Sequence, residues 1–141
     1  MKANLFILVL ISLCLTACLN GSGSSSKQAI SNVTAIDGSY AKACAFYSPN
    51  YAINEVTYLA GNVTQTIYEY NNSACSGAPI ATTILMTGTY SITAFNDPVY
   101  TVHGSLDHIV DGHLETDFEV QVSSTQYIED PNGTPSVWTR Q

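Results

Sequence analysis

Hydrophobic and polar residues alternate with a period of two along most of the chain after residue 38, as they do in half-buried β-strands. The clearest case is residues 88–94, where hydroxyl-bearing side chains occupy the odd positions. Segments of this kind are rich in Tyr, Thr, Ile and Val, and turn residues separate them. The predicted strands are residues 38–46, 52–60, 63–71, 80–87, 88–94, 100–106 and 114–122.

These short strands, with no helix of three turns between them, predict an all-β fold: an antiparallel meander that forms a small barrel or a half-open barrel. The alternation also predicts one register. A two-residue loop at residues 111–112 would place apolar Leu106 opposite acidic Asp117, which the alternation forbids. A three-residue loop at residues 111–113 instead sets Asp107 opposite Asp117. It also gives three apolar pairs: Val110–Leu114, Leu106–Phe118 and Val102–Val122.

Residues 1–17 have the features of a signal peptide that is removed from the mature protein. Lys2 precedes an apolar run up to Leu15, which is shorter than the roughly 20 residues of a membrane-spanning helix. Residues 15–18, Leu-Thr-Ala-Cys, resemble the lipobox of bacterial lipoproteins. The resemblance implies that Cys18 becomes the first mature residue and carries acyl chains such as palmitate, which anchor the protein to a membrane.

The residues after Cys18 predict a flexible tether followed by one domain. Residues 20–26 contain only Gly, Ser and Asn, so residues 18–34 are assigned to the tether and residues 35–141 to a single barrel-like domain. Leu19 is not the acidic residue associated with inner-membrane retention in enteric bacteria. The resemblance therefore implies that the protein is located in the cell envelope, where it is anchored to the outer membrane and faces the periplasm or the cell surface.

Two cysteines remain once Cys14 of the signal peptide and Cys18 are set aside, namely Cys44 and Cys75. In an oxidising compartment a disulfide is the expected state, and the alternatives are free thiols or a metal site. A disulfide that closes a loop of about 32 residues would stabilise the fold by roughly 3.5–4 kcal/mol.

Charge excludes whole classes of partner. The 141-residue chain has 4 Lys and Arg against 11 Asp and Glu, which gives a net charge of −7. So few basic side chains cannot neutralise phosphates, and nucleic-acid binding is excluded. Most of the acidic residues lie between Asp107 and Asp130, so one predicted hairpin forms an acidic side of the domain.

A series of short motifs spans residues 38–90: Gly38-Ser39-Tyr40, Cys44, residues 70–75 (Tyr-Asn-Asn-Ser-Ala-Cys), Pro79 and residues 88–90 (Gly-Thr-Tyr). It resembles small bacterial lipocalin-like lipoproteins, in which a G-x-W strand precedes one Cys and a Y-x-D-x-x-C segment precedes a G-x-Y strand. It is also distantly similar to the extracellular repeat of the vertebrate Wnt inhibitor named for adenomatosis polyposis coli down-regulation, a lipid-binding β-fold.

The resemblance implies a disulfide-pinned barrel or half-barrel with an apolar interior. Tyr40 stands where the pattern has Trp, and Asn72 where it has Asp, so we expect a weaker aromatic plug at the closed end. Residues 129–135 are predicted to be a loop, with Trp138 as a last anchor. Because lipocalin-like barrels need another strand here, a half-open barrel is the alternative.

Two groups of side chains are candidate binding residues. Four tyrosines would line a cavity as amphipathic walls, or would fill the core: Tyr58, Tyr68, Tyr70 and Tyr90. We predict no metal site, and Asp107, Asp117 and His103 are the residues that would form one for a hard cation; the alternative is a solvated acidic face. The sequence has no hydrolase signature, so we predict no catalytic residue, no cofactor and no enzymatic activity.

Two functions remain. The first is a lipid-anchored binding protein whose barrel holds a lipid or another small apolar ligand. The second is a packed structural lipoprotein that contacts another envelope protein through its acidic hairpin face. The volume of the barrel interior distinguishes them, because a ligand needs a cavity and a packed core has none.

Overall fold

The computed structural model describes residues 33–141. The predictions for the signal peptide, for Cys18 and for nearly all of the tether lie outside the described residues. Within residues 33–141, no helix is long and apolar enough to cross a membrane.

The described residues form one four-residue 3-10 turn (Val33–Ile36) and nine antiparallel strands, which confirms the all-β prediction. The strands are β1 (Gly38–Ala41), β2 (Ala45–Tyr47), β3 (Asn50–Leu59), β4 (Asn62–Tyr70), β5 (Ala81–Asn96), β6 (Val99–His108), β7 (Gly112–Val122), β8 (Gln126–Glu129) and β9 (Ser136–Arg140).

The sheet closes on itself through β1. On one side β1 pairs with β3, where Tyr40 is opposite Val56, and on the other side it pairs with β9, where Tyr40 is opposite Arg140. Eight strands therefore form a closed barrel, and β2 adds a short strand outside it along β3. The barrel is closed rather than half-open because closure satisfies the edge strands that an open sheet would expose.

Two predicted strand boundaries are wrong. The strand predicted for residues 38–46 is divided between β1 and β2, whereas residues 81–94, predicted as parts of two strands, belong to one continuous strand, β5. Gly88 was expected to begin a new strand, but it marks a close approach of two strands instead. A Cβ atom at Gly88 would lie 2.2 Å from the carbonyl oxygen of Ser105 on β6, so only glycine fits.

The C-terminal segment supplies the two strands that close the barrel. Glu129, expected in a loop, ends β8, and the loop spans only residues 130–135. Trp138 lies in β9 and is buried, as expected for a last anchor.

The predicted register of the β6–β7 hairpin is wrong by four residues, because the loop lies two residues earlier than predicted. The loop has three residues as predicted, but it is Ile109–Asp111, so that His108 is opposite Gly112 and Leu106 is opposite Leu114. Gly112 has φ +78°, a left-handed conformation that glycine adopts readily and that suits the end of a tight hairpin loop. Alternation alone cannot detect this difference, because an even slip keeps every side chain on its face.

Cys44 and Cys75 form a disulfide, which confirms the predicted pairing. The bond joins the segment between β1 and β2 to the loop between β4 and β5. It therefore fixes the connections at the end of the barrel where β3 begins and β4 ends.

Candidate functional site

One end of the barrel interior is filled by four tyrosine rings. Tyr58 contacts Tyr90 at a ring-centroid distance of 5.1 Å and Tyr127 at 5.5 Å. Tyr40 packs against Tyr127 at 5.1 Å and is completely buried. Aromatic pairs of this kind stabilise a core beyond their buried area. These four tyrosines form what we call the aromatic plug.

The residues just before β1 cap the plug. The Tyr90 hydroxyl donates a hydrogen bond to the Asp37 carboxylate, which also accepts the backbone N–H of Ala60 at 3.2 Å. The Tyr40 hydroxyl donates to the carbonyl oxygen of Ile36 at 3.0 Å. Burial raises the pKa of Tyr90, and the hydrogen bond to the Asp37 carboxylate raises it further, because both disfavour the phenolate. Side chains and the 3-10 turn thus close this end of the barrel.

The other half of the interior contains a cavity of about 230 Å³, which we call the main cavity. Tyr58 of the plug forms part of its wall, and half-exposed Leu114 lies beside the β6–β7 turn, at the entrance. The apolar lining is completed by Val63, Met86, Leu106 and Phe118. The cavity is therefore a mainly apolar space between the plug and the β6–β7 turn.

A recess of about 50 Å³, which we call the annex, adjoins the main cavity. The two spaces share Tyr58, Gln65, Met86 and Glu129 as lining residues. Trp138 lines the annex and is 5% exposed, and its buried indole N–H makes no hydrogen bond to any described residue. Polar groups are thus concentrated at one side of an otherwise apolar interior.

Glu129 brings a carboxylate into this interior. It is directly opposite Val120 of β7, which is completely buried, so both side chains face inward. Burial raises the pKa of Glu129 and Asp130 adds to the effect, whereas the Lys42 ammonium and the indole N–H of Trp138 lower it. The indole acts here as a nearby dipole, without the geometry of a hydrogen bond. Lys42 Nζ lies 4.6 Å from the Trp138 ring centroid, so charges of both signs lie close to this tryptophan.

The four tyrosines predicted to line one cavity lie on two faces of the barrel. Tyr58 and Tyr90 belong to the plug, whereas Tyr68 and Tyr70 lie on the outer face of β4. Tyr68 is directly opposite Ile53 of β3, so the two side chains lie on the same face of the sheet. Ile53 is an odd number of residues from the inward-facing Tyr58, so this face is the outer one. The outer tyrosines line an open groove of about 560 Å³ together with Lys42, Cys44 and Glu55.

The outer face of the β6–β7 hairpin carries a continuous series of histidines and carboxylates. His113 contacts Asp107 through Nδ1 and Glu115 through Nε2, both at 2.9 Å. Glu115 also contacts His103 Nε2 at 3.1 Å, and His103 Nδ1 contacts Asp117 at 2.7 Å. We call these five residues the histidine ladder.

Hydrogen bonds in the ladder favour its charged forms. The bond with a neighbouring aspartate raises the pKa of both His103 and His113. Hydrogen bonds from the Ser105 hydroxyl and then from His113 lower the pKa of Glu115. When protonated, the two histidines neutralise part of the acidic side that the sequence predicted.

The candidate metal ligands do not meet as the predicted register implied. Asp107 is opposite His113 and Asp117 is opposite His103, so the two aspartates do not face each other. Nowhere in residues 33–141 does a group of three or more His, Cys, Asp or Glu side chains have an arrangement that could hold a metal ion.

Sequence reasoning missed Glu129 and its neighbourhood with Trp138. Tyr127 and Glu129 are two residues apart and so share one face of a strand. However, β8 has only four residues, too few for a period of two to be recognised beside the turn residues that follow. Pairing with β7 and β9 determines that this segment is a strand.

Comparison with known proteins found no matching family model, no matching curated protein and no matching solved structure. The site is therefore interpreted from its own geometry.

Proposed function

We propose that this protein is a lipid-anchored envelope protein whose β-barrel binds one small, mainly apolar molecule in the main cavity, without catalysis. The observation that carries the proposal is the cavity of about 230 Å³ between the aromatic plug and the β6–β7 turn. A binding site of this kind is concave and mostly apolar, with a few polar groups that orient the ligand. Glu129 and Trp138 are the polar groups available here.

The volume limits the size of the ligand. Drug-sized molecules occupy pockets of about 300–1,000 Å³, whereas about 150 Å³ suffices for benzene. A cavity of about 230 Å³ therefore suits a molecule somewhat larger than benzene, or part of a longer chain whose remainder extends past Leu114. A complete phospholipid does not fit inside.

The anchor is proposed from the lipobox-like residues 15–18, and the lipocalin-like assignment from the motifs of residues 38–90. A closed barrel with one disulfide is compatible with both. Labelled palmitate should appear on the mature protein and be lost in Cys18→Ala, whereas the matched variant Cys14→Ala should keep it. Equal labelling of the two variants would contradict anchoring at Cys18.

A second candidate is a protein–protein contact through the acidic hairpin. The observation in its favour is the exposed apolar pair at the hairpin turn, since Ile109 is 61% and Val110 78% exposed beside the histidine ladder. Exposed apolar residues next to each other are a common feature of interaction sites. The cavity favours the binding function, because a partner at the turn would not require one.

Native mass spectrometry of the protein purified from its own membrane tests the binding function. We expect an additional mass of a small molecule on the wild type. Thr116→Phe places a ring in the main cavity and should remove that mass. The matched control Thr89→Phe, at an exposed position on β5, should retain it. A bare wild-type mass, or an additional mass that persists in Thr116→Phe, would contradict binding in the cavity.

A further inference from the structure

We propose that the cavity selects a molecule with an apolar body and one neutral hydroxyl group, and that this hydroxyl occupies the annex between Glu129 and Trp138. This inference rests on the proposed binding function and specifies its ligand class. It follows from the size of the annex, from the hydrogen-bonding capacity of its walls and from the balance of charge around it.

The annex has the size of a hydroxyl group. Its volume is about 50 Å³, and one water molecule in the liquid takes up about 30 Å³. A ring or a branched carbon group is too large for this space. Because the annex and the main cavity share Tyr58, Gln65, Met86 and Glu129, one molecule can fill the main cavity and extend a small group into the annex.

The walls of the annex offer one donor and one acceptor. The indole N–H of Trp138 can only donate, and it is buried without a hydrogen-bond partner among the described residues. The Glu129 carboxylate, when ionised, can only accept. A hydroxyl group satisfies both at once, because its oxygen accepts from the indole while its hydrogen is donated to the carboxylate.

Other polar groups in the lining are already engaged. The Gln65 side chain donates to Asn54 Oδ1 at 3.0 Å, and the hydroxyls of Tyr58 and Tyr127 bond each other at 2.9 Å. These bonds hold the lining in place, and Trp138 is the residue of the annex lining whose buried polar atom makes no hydrogen bond at all to the described residues.

Charge argues against an ionic ligand group. A carboxylate in the annex would be repelled by Glu129. An ammonium group would be attracted by Glu129 but repelled by the nearby Lys42, and it could not accept a hydrogen bond from the indole. A pure hydrocarbon would leave the Trp138 N–H and the Glu129 carboxylate without partners in a desolvated space. Among the four ligand types, the alcohol alone matches both walls.

Four compounds of similar shape test the inference: benzyl alcohol, benzylamine, benzoate and toluene. The mature chain is exported with an ordinary signal peptide and carries Cys18→Ser, so that it stays unacylated and no detergent absorbs the probes. Trp138 is the only tryptophan of the sequence, so its indole N–H gives a unique NMR signal that reports on the annex. Titrations that follow this signal yield the dissociation constant of each compound.

We expect benzyl alcohol to bind at least about tenfold more tightly than each of the other three, a difference of about 1.4 kcal/mol. Glu129→Met should remove the preference for benzyl alcohol over toluene, whereas the matched variant Glu119→Met, at an exposed position, should keep it. The wild-type comparison is decisive even if Glu129→Met fails to fold.

Two results overturn the inference, and they are distinguishable. If toluene, benzylamine or benzoate binds as tightly as benzyl alcohol, and Thr116→Phe blocks that binding, the hydroxyl preference is wrong while the binding function stands. If none of the four compounds shifts the Trp138 signal in a saturable way, both the hydroxyl preference and binding in the cavity are wrong.

Discussion

The hydroxyl pair of Tyr58 and Tyr127 provides a quantitative test of the aromatic plug. The two oxygens are 2.9 Å apart, and the side chains are 4% and 1% exposed. Burial raises the pKa of both tyrosines, because a phenolate would be desolvated there. The pair is therefore neutral and shielded from water. Removing one hydroxyl leaves the other buried without a hydrogen-bond partner, which lowers the stability of the fold.

The expected energies follow from this burial. Tyr58→Phe or Tyr127→Phe alone removes the bond and leaves the other hydroxyl unpaired, which lowers the free energy of unfolding by about 1–3 kcal/mol. The double variant removes both polar groups and leaves none unpaired, so its loss should be about 1 kcal/mol or less. With about 2 kcal/mol for each single loss, their sum should therefore exceed the double loss by about 3 kcal/mol.

Urea unfolding monitored by circular dichroism measures these free energies for the wild type and the three variants. Tyr47→Phe is the matched control, because Tyr47 is 55% exposed and its change should stay within about 0.5 kcal/mol. Single losses that add to the double loss within about 0.5 kcal/mol would refute the reasoning. Such additivity would mean that the hydroxyls do not depend on each other.

Two further predictions concern stability. Because the pKa values of His103 and His113 are raised from 6.5 and that of Glu115 is lowered from 4.5, the ladder should stabilise the fold most between about pH 4.5 and 6.5. Its contribution should fall as the pH rises through the higher folded-state values of the histidines. Urea unfolding at several pH values should show this loss, and a His103→Asn/His113→Asn double variant with the same pH dependence would contradict it. Replacing Cys44 and Cys75 by Ser opens a loop with a sequence separation of 31 and should lower the free energy of unfolding by about 4 kcal/mol. A loss below about 1 kcal/mol in the same assay would show that other contacts already restrain the loop.

The strands that the sequence predicted best are those with one buried and one solvated face. Residues 100–106 and 114–122 alternate clearly, and they lie within β6 and β7. The four-residue strand β8 contains too few positions for the same signal. The strand boundary predicted at Gly88 is wrong, because glycine occurs both at the ends of strands and where two strands approach each other closely.

The candidate site was predicted only in part. Tyr58 lies in the wall of the main cavity and Tyr90 in the plug beneath it, but Tyr68 and Tyr70 are outside. A tyrosine suits either face of a strand, since its ring is apolar and its hydroxyl is polar, so composition cannot assign the face. The strand pairing assigns it, because it determines which residues lie opposite buried neighbours.

The sequence alone determined the all-β class, the disulfide and the acidic side of the domain, since each depends on residue type and local period. Only the tertiary structure decided that β8 and β9 close the barrel, that the β6–β7 loop is Ile109–Asp111, and that Glu129 faces inward. The physical reason is that alternation specifies the face of a residue within its strand but not its partner across the sheet. Partners are selected by the closure of the whole barrel, and the cavity exists only after that closure.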